Sequence, residues 1–177
     1  MKGITFSSDN GKIGMKDHLD SAKMMEEYFK TSENPEEAQI NMKNIKWVHE
    51  NVLDFDNIIK FEGKIIGNTF MLPCTKDLMG RFLSNSINEN QLFEEIKKNV
   101  NPKKFDAIYL CSSFIKPEFR GKGLSVEARM KTIKRVTKNL KIKPILFYEP
   151  YTEEGEKSCE KVAEILGLEL RKRETLK

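Results

Sequence analysis

Residues 105–125 read Phe-Asp-Ala-Ile-Tyr-Leu-Cys-Ser-Ser-Phe-Ile-Lys-Pro-Glu-Phe-Arg-Gly-Lys-Gly-Leu-Ser. The part from 105 to 115 is almost free of charge, which is typical of a β-strand covered on both faces. The part from 116 to 125 contains two glycines and leads into an apolar stripe at helical spacing between 121 and 140. The sequence therefore predicts a central strand, a tight loop and a long amphipathic helix. The stripe consists of Val126, Met130, Ile133, Val136 and Leu140.

Apolar spacing and turn residues on either side of this stretch predict the remaining elements. They are a helix at 19–30, a short helix at 35–40, an extended segment at 45–49, a hairpin at 57–72 stopped by Pro73, helices at about 75–84 and 89–98, a strand at 144–148, a helix at about 152–166 capped by Gly167, and a strand at 168–171. Strands and helices that alternate in this way favour a sheet layered with helices over a helical bundle.

Composition limits the class of protein. The chain has 177 residues, of which 38% are hydrophobic and 33% are charged, as expected for one soluble domain with its own core. Three scattered cysteines and two histidines exclude a zinc module and fit a reducing cytoplasm. We expect no membrane span and no signal peptide, because no apolar run is long enough for either. The prediction is a cytoplasmic protein without a metal.

Charge is concentrated around the loop. The net charge is +4, but residues 103–143 contain twelve basic and three acidic residues. This imbalance indicates an anionic partner. A nucleic acid bound to the basic helix ranks last, because the segment lacks interleaved aromatic residues for stacking and the rest of the chain is net acidic. In that helix we expect Arg129, Lys131, Lys134, Arg135 and Lys138 to lie mostly outside the apolar stripe.

The loop carries features of a phosphate site. Gly121 and Gly123 allow close approach of the backbone to a ligand, and a helix start presents free N–H groups to an anion. Arg120 and Lys122 add positive charge for phosphate oxygens. The spacing fits neither a P-loop nor a Rossmann fingerprint. A pyrophosphate site and a plain strand-to-helix turn both remain open at this point.

The arrangement of strand, loop and helix resembles the acyl-CoA-binding signature of the GNAT superfamily of N-acyltransferases. That motif runs Arg or Gln, two residues, Gly, one residue, then Gly or Ala. Here it is matched by Arg120-Gly121-Lys122-Gly123-Leu124-Ser125, with Ser125 standing where the family has Gly or Ala. The resemblance implies one GNAT-like α/β domain over 1–177, with a mixed, mostly antiparallel sheet between helices and a helical insertion at about 75–99.

The resemblance also implies a cofactor position. Acetyl-CoA would be the co-substrate, and its pantetheine would pair with the backbone of Phe114 and Ile115, where the long strand leaves the strand at 144–148. Its pyrophosphate would lie on the loop. The implied cofactor-binding residues are Phe114, Ile115, Arg120, Gly121, Lys122, Gly123, Leu124 and Ser125.

The implied reaction moves an acetyl group to a primary amine of a small molecule or peptide, by direct attack in a ternary complex. Many family members place a tyrosine acid three residues before the Leu-Gly that closes the last helix, and this chain has Ala163 there. The alternative is therefore a non-catalytic GNAT-like module that binds or senses acyl-CoA.

Candidate acid and base residues are few. Glu149 and Asp106 could accept a proton from the amine, and Tyr148 and Tyr109 could donate one. The competing interpretation is a solvated carboxylate or a packed tyrosine in each case. Cys111 is expected to be a small buried hydrophobe, and neither His18 nor His49 has a partner at useful spacing. The acceptor has no diagnostic motif, and the 75–99 insertion would either cover its groove or contact a second copy in a homodimer.

Overall fold

A computed structural model describes residues 2–10 and 13–174, which form a mixed α/β fold. The strands of its sheet are β1 (Ile4–Phe6), β2 (Asp56–Phe61), β3 (Lys64–Cys74), β4 (Ala107–Ile115), β5 (Ile145–Tyr148) and β6 (Leu170–Lys172). The helices are α1 (Ser7–Asn10), α2 (Met15–Phe29), α3 (Met42–Asn51), α4 (Lys76–Leu83), α5 (Glu89–Asn99), α6 (Leu124–Thr137) and α7 (Glu153–Leu166). The predicted mixed α/β sheet is thus confirmed.

The strands lie in the sheet in the same order as in the chain, β1 to β6. Neighbours from β1 to β4 are antiparallel, whereas β4, β5 and β6 are parallel. The predicted hairpin is β2 and β3, and its turn uses positive φ at Glu62 and Gly63. Long helical connections follow from the parallel half, because parallel neighbours cannot be joined by a tight turn.

Helices cover both faces of the sheet. Adjacent residues of a strand point to opposite faces. Asp56 contacts His18 of α2, whereas the next residue, Asn57, donates hydrogen bonds to the Ala128 carbonyl and the Thr132 hydroxyl of α6. Therefore α2 and α6 lie on opposite faces. The main core includes the fully buried Tyr109 and Phe147, which stack with ring centroids 5.1 Å apart.

Two predictions between α2 and β2 were wrong. Residues 35–40 form turns and not a helix, and residues 45–49 belong to α3 and are not extended. The reason is a cap that the spacing did not reveal. Asn41 accepts a hydrogen bond of 3.0 Å from the backbone N–H of Asn44, so the helix begins after Asn41.

Pro73 was expected to stop the hairpin, but β3 continues to Cys74. The last residue of β3 that pairs with β2 is Phe70, so Pro73 has a strand neighbour on its β4 side only. A missing N–H is tolerated where one strand edge is free. The strand β1 was not predicted, because three residues are too few to show a period.

Candidate functional site

The loop between β4 and α6 has unused backbone amides. Gly121 and Gly123 both have φ of 73°, a conformation that favours glycine, and a methyl group added at either would meet no other atom within 4 Å. No other described residue accepts a hydrogen bond from the backbone N–H groups of 121–126. Free amides at the start of a helix of 14 residues form a surface suited to an anion.

The two predicted phosphate ligands of this loop contact the protein itself. Arg120 Nε donates a hydrogen bond of 2.8 Å to the Ile115 carbonyl, and its guanidinium lies 5.8 Å from the ring centroid of Tyr28. Lys122 Nζ donates to the Glu118 carbonyl at 3.1 Å. Both keep further N–H donors, because a guanidinium carries five and an ammonium three.

The end of β4 has an unpaired edge. β5 pairs only with the first three residues of β4, ending at Tyr109. Beyond Tyr109, up to Ile115, β4 has β3 as its single strand neighbour within the described residues. The pairing with β3 also shifts register between Phe70 and Leu72, which marks a bulge at the same level. Phe114 and Ile115, the residues predicted to bind pantetheine, lie on this unpaired edge.

The side chain of Ser125, which departs from the family motif, contacts other side chains of the protein. Its hydroxyl lies 2.7 Å from the hydroxyl of Ser113 on β4 and 3.1 Å from that of Ser158 on α7. The side chain therefore links three elements, while the backbone N–H of Ser125 stays free for a ligand.

Arg129 was expected to lie outside the apolar stripe of α6, and that prediction was wrong. Its side chain is buried, with a relative exposure of 3%. One guanidinium nitrogen lies 3.3 Å from the hydroxyl of Ser158 and 3.1 Å from the sulfur of Cys159. The cause is α7, which packs against this side of α6 and cannot be anticipated from helical spacing within α6.

A cavity of about 550 Å³ lies on the α2 face of the sheet. This volume is in the range of small-molecule sites. It touches β4 at Cys111 and Ser112, which lie on the unpaired edge, but no residue from 113 to 125 lines it. The loop and the cavity thus meet the same strand, and the ring centroid of Tyr28 in the lining lies 5.8 Å from the guanidinium of Arg120 in the loop. Apolar walls come mainly from Met25, Phe29, Val48, Phe70 and Phe93.

The end of the cavity beside β2 and β3 is polar. His18 Nε2 lies 3.4 Å from the Asp56 carboxyl, and Asn68 Nδ2 donates to the same carboxyl at 2.7 Å and to the Ser21 hydroxyl at 2.8 Å. His18 Nδ1 and Asn68 Oδ1 are buried and have no hydrogen-bond partner. Such groups are costly to bury unless something satisfies them.

Burial sets the charge of this pair. It raises the pKa of Asp56 to about 7, although the hydrogen bond from Asn68 works against it. Burial, and then the nearby His49 ring, lowers the pKa of His18 to about 4. Between these pKa values both groups are uncharged. The 3.4 Å contact between them is then a contact between neutral groups and not an ion pair.

The end beside β4 contains a buried carboxyl, Glu89. It accepts hydrogen bonds from the Tyr109 hydroxyl at 2.7 Å, from the backbone N–H of Ala38 at 2.9 Å, and from the Cys111 thiol at 3.5 Å. Burial raises the pKa of Glu89 against the effect of these donors. Burial likewise raises the pKa of Cys111 well above its usual value, which fits an unreactive thiol.

The predicted catalytic residues lie apart from the cavity lining. Tyr148 donates to Glu156 at 3.2 Å, and burial raises the pKa of Tyr148. Glu149 forms an ion pair of 3.0 Å with Arg173. Asp106, just before β4, accepts from the backbone N–H of Lys76 at 2.7 Å and lies at the opposite end of that strand. Glu149 also accepts a hydrogen bond of 3.3 Å from the hydroxyl of Tyr151, which does line the cavity.

Sequence reasoning missed the cavity residues that carry ionisable groups. His18 and Asp56 are 38 positions apart in the chain, and Glu89 lies in the segment that was interpreted as an insertion. No local spacing connects them, because each stands on a different element. The one available signal was a carboxyl within an apolar strand, at Asp56.

Comparison with models of known protein families finds no match, and neither does comparison with curated proteins. Among residues 2–10 and 13–174, no group of three or more His, Cys, Asp or Glu side chains could hold a metal ion. In the same part of the chain, no helix combines the length and apolar character that a bilayer crossing needs.

Proposed function

We propose that the protein is a GNAT-like N-acetyltransferase that moves an acetyl group from acetyl-CoA to a primary amine. One observation carries the proposal: a strand loses its partner beyond Tyr109 and then runs into a loop whose amides from 121 to 126 are free. An unpaired strand edge supports pantetheine, and free helix-start amides support pyrophosphate.

The residues that would bind acetyl-CoA are those that the GNAT resemblance implies. The amides of Gly121, Gly123, Leu124 and Ser125 would bind pyrophosphate, with Arg120 and Lys122 adding donors. The backbone of Phe114 and Ile115 would pair with pantetheine. A backbone N–H on the unpaired edge of β4 would polarise the thioester carbonyl.

The acceptor amine would approach from the cavity, which reaches β4 at Cys111 and Ser112. Glu89 is the buried carboxyl beside this point, since the Cys111 sulfur lies 3.5 Å from its Oε1. A carboxylate with a raised pKa is a suitable proton acceptor for an amine. We therefore assign that role to Glu89 in place of Glu149, which is paired with Arg173.

Calorimetry with acetyl-CoA tests the proposal. The wild-type chain should bind, and Gly123→Trp should reduce affinity at least about tenfold, because an indole would cover the free amides. Gly167→Trp is a matched control, since Gly167 also has positive φ and open space but caps α7. No binding at millimolar acetyl-CoA, or equal binding by the two variants, contradicts the proposal.

A second candidate function is acyl-CoA binding without turnover. It is favoured by Ala163 at the position of the family's tyrosine acid and by Tyr148, whose hydroxyl is engaged with Glu156. Release of free thiol from acetyl-CoA in the presence of amines separates the two functions. A transferase releases thiol in proportion to amine, whereas a binding module saturates with acetyl-CoA and releases none above background.

A further inference from the structure

The cavity has two polar ends separated by apolar walls. Asp56 is the register partner of Phe70 on β3, and Phe70 is the register partner of Ser112 on β4. These three residues therefore form one row across three strands. Two strand spacings separate its ends, a distance of roughly 10 Å. The Asp56 end lies beside β2, and the Glu89 end lies beside β4.

The ionisable residues of the lining indicate the charge of a ligand. The carboxyls that line the cavity belong to Glu37, Asp56 and Glu89, and no lysine or arginine of the described chain lines it. The chain as a whole has 31 lysines and arginines, so their absence from the lining is a feature of the cavity and not of the composition. His18 adds no positive charge near neutral pH, because burial lowers its pKa to about 4. An anionic ligand would find no partner here, whereas a cation would.

The Asp56 end offers hydrogen-bond acceptors that nothing in the protein uses. Asn68 Oδ1 and His18 Nδ1 lack partners, although both side chains are more than nine-tenths buried and both line the cavity. They belong to the two side chains that flank the carboxyl of Asp56, which accepts from Asn68 Nδ2 and lies 3.4 Å from His18 Nε2. A protonated amine would give this carboxyl the positive partner that it lacks. The nearest cation of the protein, Arg135, bonds the backbone carbonyls of Asp54 and Asp56 and not the carboxyl.

We propose that the cavity binds an elongated amine with two protonated nitrogens on an apolar chain, one nitrogen at the Asp56 carboxyl and the other at Glu89. The nitrogen that reacts is the one at Glu89, beside β4. This assignment rests on the proposed function. In that step a bond forms between this nitrogen and the acetyl carbon, and the carbon–sulfur bond of the thioester breaks. The nitrogen reacts as the free amine after Glu89 has removed its first proton. The proton released as the amide forms passes to solvent, and the departing thiolate of CoA takes a proton from water.

Calorimetry on the chain alone, at about pH 8, tests the ligand class without acetyl-CoA. Diaminooctane should bind at least about tenfold more tightly than octylamine, because its second ammonium gains charge-assisted hydrogen bonds at Asp56. Octanoate should not bind. Diaminobutane is too short to reach both ends, so it should lose the advantage of the second nitrogen. Equal affinity for diaminooctane and octylamine, or tighter binding of octanoate, would overturn the inference.

A variant locates the second nitrogen. Asp56→Asn should reduce the affinity ratio of diaminooctane to octylamine to about one, because either ligand then has a single carboxyl partner, at Glu89. Asp54→Asn is the matched control, because Asp54 is exposed and lies outside the cavity lining. If folded Asp56→Asn still binds diaminooctane much more tightly than octylamine, the placement of the second nitrogen at Asp56 is contradicted. If Asp56→Asn does not fold, the comparison of diaminooctane with diaminobutane on the wild-type chain decides the same point.

The two proposals fail separately. Absence of acetyl-CoA binding with an intact diamine preference removes the transferase assignment and leaves the cavity as a diamine site. Acetyl-CoA binding without a diamine preference removes this inference and leaves the transferase assignment in place.

Discussion

The glycine loop at 116–125 and the cavity on the α2 face meet at the same strand, but they are built in opposite ways. The loop offers backbone amides from consecutive residues, and its glycines stand in open space. The cavity offers side chains from three helices and three strands, and its main polar groups, among them Asp56, Asn68 and Glu89, are buried. We therefore expect changes in the loop to affect ligand affinity more than stability, and changes in the cavity to affect stability strongly.

The largest effect is expected for Glu89→Ala. The Tyr109 hydroxyl and the Ala38 N–H would lose a buried acceptor, which should lower the free energy of unfolding by about 3 kcal/mol. Glu89→Gln keeps an acceptor oxygen and should cost about 1 kcal/mol. Urea denaturation of both variants measures the difference. A Glu89→Ala protein as stable as wild type would show that the cavity is not the structurally demanding region.

The next effect concerns the pH dependence of stability. The pKa of Asp56, raised to about 7, makes the folded state hold that proton more tightly, so this group's contribution falls as pH rises from about 4 to about 7. The pKa of His18, lowered to about 4, has the opposite sign, and its contribution rises from about pH 4 to about pH 6.5. In the wild-type protein the two contributions largely cancel.

Single variants should separate these contributions. Between about pH 4.5 and about pH 6, Asp56→Asn should gain stability as pH rises, and His18→Phe should lose it, each on the order of 2 kcal/mol. Urea denaturation at both pH values gives the two slopes. If stability changed with pH in the same direction in both variants, the opposite contributions of Asp56 and His18 would be contradicted. His49 stacks on His18, so His49→Phe is the control for its smaller influence.

A smaller effect is expected in the loop. Gly121→Ala places a side chain at φ of 73°, which should cost about 1 kcal/mol of stability through backbone strain alone. Gly14→Ala is the matched control, because Gly14 also has open space around it but φ of −70°. Thermal unfolding of both variants distinguishes strain from loss of contacts. A cost of several kcal/mol at Gly121 would mean that the loop packs against something.

The smallest effect is expected for Ser125→Ala. It removes hydroxyl contacts to Ser113 and Ser158 but keeps the backbone N–H, so stability should fall by about 0.5–1 kcal/mol. Affinity for acetyl-CoA should stay within about twofold of wild type. Ser84→Ala, which removes an exposed hydroxyl pair with Ser86, serves as the control. A large loss of acetyl-CoA affinity would show that the hydroxyl itself binds the ligand.

Sequence reasoning succeeded where one segment determines its own structure. Apolar spacing predicted α4, α5 and α7 closely and α2 except for its first turn, and low charge predicted β4. The positive φ of Gly121 and Gly123 follows from their residue type at a strand-to-helix loop. The GNAT resemblance depends on this contiguous stretch alone.

Sequence reasoning failed where contacts between distant elements determine the structure. Arg129 is buried because α7 covers it, and α3 begins after Asn41 because that side chain caps it. The polar end of the cavity joins His18, Asp56 and Asn68 from three separate elements. A single sequence contains no spacing that records such a meeting.

The sheet adds its strands in the order in which the ribosome releases them, because neighbours in space are also neighbours along the chain. During synthesis the antiparallel half can therefore assemble before β5 exists. The strand β4 gains its neighbour β5 only when residues 145–148 have left the exit tunnel, so the unpaired edge of β4 takes its final form at that stage. The proposed acyl-CoA site would thus be completed late in translation, after the strands that line the cavity are already paired.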